Sequence, residues 1–255
     1  MITPKEREEL RRRISESCRR LILSQRMVEL CEQEATPKQE EFLAFVLEEE
    51  IHRREQNRRA RQLSRACFPV LKSLEGYEYS AIRFPPSLSR EELLSCQFVG
   101  EKKNLILFGP VGIGKTHLAI ALGAKACAMG MNVRFYTVTE LVLKLGEAHR
   151  SGRLERLIRD LVQLDLLILD EWGYVPIDKE GSQLLFRVVA DSYESKSLIL
   201  TTNLEFSKWG GIFTDEQMAA AMIDRLVHHG HLLIFEGQSY RMTHALMRQT
   251  ATPTS

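Results

Sequence analysis

Gly109-Pro110-Val111-Gly112-Ile113-Gly114-Lys115-Thr116 is the stretch on which the fold of this chain turns. It has the spacing glycine, any four residues, glycine, lysine, hydroxyl, which is the pattern of a phosphate-binding P-loop. The surroundings match as well. The apolar run Leu105–Phe108 reads as a strand leading in, and Lys115–Met129 reads as a helix leading out. Glycines at such a turn let the backbone curl until its N–H groups surround an anion, and the helix amino terminus adds a favourable dipole. A glycine-rich turn with a chance lysine would require neither neighbour. Lys115 is therefore expected to reach the β- and γ-phosphates of ATP, and Thr116 to ligate Mg²⁺. The expected nucleotide-binding set is Gly109, Pro110, Val111, Gly112, Ile113, Gly114, Lys115, Thr116 and His117.

Beyond the loop, strands and helices alternate. Strands are expected at Asn132–Thr137, Leu166–Asp170, Ser197–Thr201 and Leu232–Phe235. Helices are expected at Glu140–His149, Arg153–Leu164, Ser182–Tyr193 and Glu216–His228. The strands are continuous apolar runs, so both their faces must be covered. This predicts an α/β fold, a three-layer α/β/α P-loop NTPase with a parallel sheet.

Leu166-Leu167-Ile168-Leu169 runs into Asp170-Glu171. A buried strand that ends in Asp at the carboxyl edge of a sheet sets that acid beside the Mg²⁺ shell. Glu171, one residue on, is placed to act as general base toward water. The bland alternative is a solvated turn. Leu198-Ile199-Leu200-Thr201-Thr202-Asn203 is a third buried strand ending in a polar amide, and Asn203 is expected to bond the water or the γ-phosphate. By itself it could be a turn asparagine. Arg225 lies on the last helix before the final strand. In an assembly of subunits it would act as an arginine finger on a neighbour's γ-phosphate, worth about 10³–10⁵ in rate. The catalytic set is thus Lys115, Glu171, Asn203 and Arg225, with Thr116 and Asp170 on the metal.

The 255 residues are 44% hydrophobic and 27% charged with net charge +1, so any nucleic acid must meet a local patch. Cys18, Cys31, Cys67, Cys96 and Cys127 lack the spacing of a zinc site or disulfide frame. No apolar run reaches the ~18 residues of a membrane span, and the charged start excludes a signal peptide. A cytoplasmic protein with no membrane partner is expected. Residues 1–66 read as a helical partner or oligomerisation domain. One helix carries Leu10, Ile14, Cys18, Leu21 and Val28 on a single stripe, and a second begins at Thr36-Pro37-Lys38-Gln39 with Phe42, Phe45, Val46 and Ile51 as its apolar face. That helix ends in six arginines against one glutamate between Arg53 and Arg65. Residues 67–102, punctuated by Pro69, Gly76, Pro85 and Pro86, read as a linker on the core, and 103–255 as the ATPase domain.

Taken together, Gly-Lys-Thr-His-Leu-Ala at 114–119, the Asp-Glu strand, the Thr-Thr-Asn strand and Asp224-Arg225-Leu226 resemble the AAA+ ATPases of the initiator clade. The paired helical segments between Thr137 and Leu164 resemble the insertion that marks this clade. A nearer resemblance is to the IstB family, helper ATPases of bacterial insertion sequences. It rests on Thr201-Thr202-Asn203-Leu204-Glu205-Phe206-Ser207-Lys208-Trp209, on Asp170-Glu171-Trp172-Gly173-Tyr174, on Asp224–His229, and on Gly237-Gln238-Ser239-Tyr240-Arg241. Trp172 and Val111 stand where Leu and Pro are more usual. The resemblance implies ATP hydrolysis stimulated by oligomerisation and DNA, duplex DNA as partner, a cognate DDE transposase to be stimulated, and an ATP-dependent ring or helical homo-oligomer. As in that family, no C-terminal helical lid is expected after Phe235. Without it the usual sensor arginine is missing, and Arg241 is left as an unassigned candidate.

Lys144, Arg150, Arg153, Arg156 and Arg159 form a basic stripe along the insertion, above an apolar face of Leu154, Leu157, Ile158 and Leu161. Such stripes contact phosphates without reading sequence. Glu155 and Asp160 intervene, so a merely solvated face is the competing interpretation. At the level of function the competitors are a DnaC-like replicative helicase loader, a small-molecule P-loop kinase, and a scaffold that binds ATP without turnover.

Overall fold

In the computed structural model, which describes residues 3–174, 176–213 and 215–240, the chain divides into two compact units, one ending at Arg61 and the other beginning at Gln62. The first unit holds α1 (Pro4–Leu21), α2 (Gln25–Glu34) and most of α3 (Pro37–Ala66). Where one helix was expected to carry the stripe from Leu10 to Val28, the structure has two. The chain breaks at Ile22, whose left-handed φ of 58° closes α1, and Ser24 then caps α2. Leu10, Ile14, Cys18 and Leu21 meet Val28 and Cys31 across that corner.

The expected apolar face of α3 is also corrected. Phe42, Phe45 and Val46 point outward, whereas Glu40, Ala44 and Leu47 are buried and Ile51 is partly so. The inward face carries a charge among its apolar side chains. Glu40 is fully enclosed, and Arg7 and Arg11 each donate to its carboxylate at 2.9 Å. Burial alone would raise the Glu40 carboxyl; the two guanidiniums reverse this and hold it below the usual carboxylate range.

The second unit is built on one six-stranded sheet. Its strands are β1 (Ile82–Arg83), β2 (Asn104–Phe108), β3 (Val133–Thr137), β4 (Leu166–Trp172), β5 (Ser197–Thr202) and β6 (Gly230–Phe235), in the spatial order β1–β6–β2–β5–β4–β3. All neighbours run parallel except β1, which pairs antiparallel with β6 at the edge. The helices are α4 (Arg90–Ser95), α5 (Gln97–Gly100), α6 (Lys115–Ala128), α7 (Val138–Arg150), α8 (Leu154–Val162), α9 (Lys179–Ser192) and α10 (Glu216–His228). Side chains along each strand alternate between two cores, as strand pleat requires. Leu105, Leu107, Leu166, Ile168 and Ile199 pack with α6 on one face. Ile106, Leu167, Leu169, Leu198 and Leu200 pack with α7–α10 on the other. This is the α/β/α arrangement that the continuous apolar runs foretold. Residues 67–102 hold more structure than a linker, since Leu88, Leu93, Cys96, Phe98 and Val99 are buried in the α6-side core. No helix of the described residues is long and apolar enough to cross a membrane.

Candidate active site

The P-loop lies at the carboxyl edge of β2, the third strand from the β1 edge and central in the sheet. Gly109 donates to the Thr202 carbonyl at 3.2 Å, tying the start of the loop to β5. A side chain at Gly109 would meet the Phe235 carbonyl oxygen of β6 at 2.4 Å, so only glycine fits. Helix α6 then starts from Gly114, φ 106°, with no side chain capping its first turn. An uncapped first turn at the mouth of a parallel sheet is an anion site. Tyr77 donates its hydroxyl to the Gly114 carbonyl at 3.2 Å, and burial pushes that hydroxyl's pKa up, so it stays a donor. Tyr240 donates its N–H to the Gly112 carbonyl at 3.1 Å. The loop is thus held from both sides. Neither contact was legible in the sequence, because Tyr77 and Tyr240 are far from the loop along the chain.

Lys115 is 7% exposed, and its ammonium donates to the Gly109 and Pro110 carbonyls, both at 2.6 Å. Thr116 donates its hydroxyl to Asp170 Oδ1 at 2.9 Å. That bond brings the amino terminus of α6 and the end of β4 together, although they are 54 residues apart. Asp170 is 5% exposed, whereas Glu171 is open to solvent. Glu171 has φ 62°, a left-handed conformation unusual for a residue other than glycine. Asn203 follows Thr202, whose register partner is Phe108, so it sits exposed beside the root of the loop. The residues suit a magnesium nucleotide: a hydroxyl and a carboxylate for a hard cation, and a buried ammonium with helix N–H groups for phosphate oxygens.

Arg225 does not join this group. It lies one residue before Leu226, whose carbonyl accepts from Asn104 at the opposite end of β2, roughly 15 Å from the loop at ~3.3 Å per strand residue. Its guanidinium donates to the Ala221 carbonyl at 2.9 Å and rests 5.2 Å from the centre of the Phe186 ring. Arg241, the unassigned candidate, lies outside the described residues. Trp209 is fully buried, packs 5.1 Å from Trp172 and donates to the Leu204 carbonyl, so the tryptophan block serves the core.

Along the insertion, Ile158 and Leu161 are buried and Leu154 and Leu157 partly so, leaving Arg150, Arg153, Arg156 and Arg159 exposed with Lys144. Lys144 leans on the Tyr136 ring, donating to its hydroxyl at 3.2 Å. Arg153 donates to Ser151 and lies 3.7 Å from Glu147. The intervening Glu155 is answered by Arg187 of α9, which grips it with two bonds of 2.7 and 2.8 Å. That pairing lowers the Glu155 carboxyl and leaves the stripe net positive.

Comparison with known proteins agrees with this geometry. The family described as IstB-like ATP binding protein matches residues 22–248. The chain is 42% identical to a Pseudomonas aeruginosa protein assigned as the ATP-binding protein of insertion sequence IS21, over 79% of this chain and 76% of that one. A Geobacillus stearothermophilus protein so assigned for insertion sequence IS5376 is 36% identical over 91% of this chain and 95% of its own. Among solved structures, the DnaC helicase loader aligns at TM-score 0.47 and 24% identity, covering 64% of this chain and 96% of that one. The replication initiator DnaA bound to AMPPCP and single-stranded DNA aligns at TM-score 0.49 and 20% identity, over 58% and 45%.

Proposed function

The chain belongs to the family of IstB-like ATP-binding proteins, and from that footing we propose that it is an ATPase that assembles on duplex DNA and stimulates a cognate DDE transposase in insertion-sequence transposition. One observation carries the reading: the P-loop hydroxyl of Thr116 bonds Asp170, with the exposed carboxylate of Glu171 next along the strand. A protein that only held ATP would need no free acid there.

In this mechanism Lys115 exchanges its two loop carbonyls for phosphate oxygens, which form stronger charge-assisted bonds. Thr116 points its proton at Asp170, which leaves its oxygen lone pairs for a metal that Thr116 and Asp170 together would hold. Mg²⁺ bound there supplies neutralisation of charge on the phosphate oxygens. Glu171 accepts the proton of the attacking water, and Asn203 orients that water or the γ-phosphate. Arg225, remote from its own loop, acts on the loop of a neighbouring subunit, where a finger lowers the barrier by ~4–7 kcal/mol. DNA phosphates lie against Lys144, Arg150, Arg153, Arg156 and Arg159. Residues 1–66 engage the transposase or another subunit, 67–102 brace the core, and 103–255 hydrolyse ATP. The work belongs in the cytoplasm, with the DNA.

The test is phosphate release with and without duplex DNA over a range of protein concentrations. Turnover that rises with both supports the reading. ATP bound with no phosphate released, or a phosphorylated small molecule in place of free phosphate, overturns it.

A further inference from the structure

We propose that Thr201 is the positioning residue of this site: its single hydroxyl sets where both acids sit, and thereby sets the rate of hydrolysis without setting nucleotide affinity. The proposal rests on the ATPase reading above and deepens it. It starts from the register of two strands. From Leu166 opposite Ser197 to Leu169 opposite Leu200, β4 and β5 pair residue for residue, and the next pair is Trp172 with Thr202. Three steps along β4 thus face two along β5, so β4 carries one extra residue. Such a bulge interrupts the ladder and re-aims a side chain. The residue re-aimed is Glu171, left-handed at φ 62° and exposed at the end of a strand whose other residues are buried.

A left-handed glutamate persists only where the surroundings over-determine it. Thr201 supplies that constraint. Its oxygen accepts the Glu171 N–H at 3.1 Å, and its proton goes to Asp170 Oδ1. The direction of this relay is forced. A hydroxyl has one proton and a carboxylate only accepts, so the lone pair of Thr201 must face the Glu171 amide. Thr201 is 2% exposed, so both bonds lie away from bulk solvent. Thr202 closes the far side of the bulge, donating to the Trp172 carbonyl at 2.8 Å and accepting the Leu204 N–H at 3.0 Å. The two adjacent threonines stand in for the ladder bonds that the bulge removes.

The Thr201 hydroxyl is joined to the P-loop through Asp170, which also holds Thr116. Removing its hydroxyl leaves the Glu171 amide without its partner and frees the backbone to relax toward an extended conformation. That relaxation would turn the carboxylate to the other face of the strand. Thr116 keeps its own bond to Asp170, and Lys115 keeps its two carbonyl partners in the loop.

The test compares Thr201→Val, which keeps the shape, with Thr201→Ser, which keeps the hydroxyl. Three quantities are measured on the full chain: kcat and KM for ATP, calorimetric ATP affinity, and hydrogen exchange of the Glu171 amide. The expected result is that valine lowers kcat about tenfold or more, leaves KM and affinity within about threefold, and speeds exchange about tenfold. Serine should stay within about threefold of the parent in every measurement. The proposal is overturned if valine leaves kcat or the exchange rate unchanged, if affinity falls as far as kcat, or if serine is as impaired as valine. If the parent protein binds ATP but releases no phosphate, the ATPase reading fails and the exchange comparison alone decides the role of Thr201. Should Thr201→Val not fold, Thr201→Ala takes its place with the same readouts and outcomes.

Discussion

Glu171 combines two properties seldom found together: a strained backbone and an unhindered carboxylate. Glu171→Gln keeps its size and removes its basicity. We expect ATP affinity to be retained and phosphate release to fall about 10²-fold or more, the usual worth of a general base. Because ATP then persists, the protein should remain on duplex DNA through a dilution that releases the parent, as checked by retention on immobilised DNA. A variant that hydrolyses ATP normally would leave this residue without its role. At this scale, several residues of the candidate site could be picked out from the chain. Lys115, Thr116, Asp170 and Glu171 are named by local spacing, because each must sit at a strand-to-helix turn or a strand end to do its chemistry. Thr201 was passed over. A threonine in a β-strand is so ordinary that only its two bonds single it out.

Among the elements, α8 carries both a surface and an anchor. Reversing Arg153 and Arg156 to Glu should weaken binding to duplex DNA and flatten its dependence on salt by about two units of slope, one for each lost phosphate contact. The exposed pairing of Arg153 with Glu147 adds little to folding, so the variant should unfold near the parent temperature. An unchanged salt slope would reject the stripe. At the other end of α8, the Lys196 ammonium is 1% exposed and donates to the Leu161 carbonyl in the last turn. Burial pushes it down from 10.5 to about 8, with Asp191 opposing. Between those two values the unfolded chain holds more protons on this lysine than the folded one, so stability from this group rises with pH through that window. Below about pH 8 both states are protonated and the cost of the buried charge is fully present. Lys196→Met should lose that rise, and the check is the gap between the two unfolding midpoints, which should change from pH 7 to pH 10. A constant gap would mean that folding leaves the protonation of this lysine unchanged. Elements containing a chemical motif were legible nearly to the residue, as with α10 at Glu216–His228. The break at Ile22 was not, since the apolar stripe continues across it in the sequence and only the corner packing reveals it.

For the molecule as a whole, the position of Arg225 has the largest consequence. It belongs to the end of the sheet opposite the P-loop, so a role in hydrolysis requires a second subunit. Arg225→Ala and Lys115→Ala should each be nearly inactive alone. Mixed, they should recover activity, because the intact loop of one meets the intact arginine of the other. Phosphate release from equal mixtures measures this, and no recovery would place the finger elsewhere.

The chain by itself determined the α/β class, the nucleotide loop and the acids beside it, because these follow from hydrophobic period and from motifs confined to a few neighbouring residues. Tertiary structure alone decided which face of α3 is buried, how Tyr77 and Tyr240 brace the loop, and that one threonine on β5 bonds both acidic residues at the end of β4. Those outcomes depend on partners about 30 or more residues apart, such as Thr201 with Asp170 at a separation of 31. A linear pattern carries periodicity, but it does not say which distant groups will share one proton.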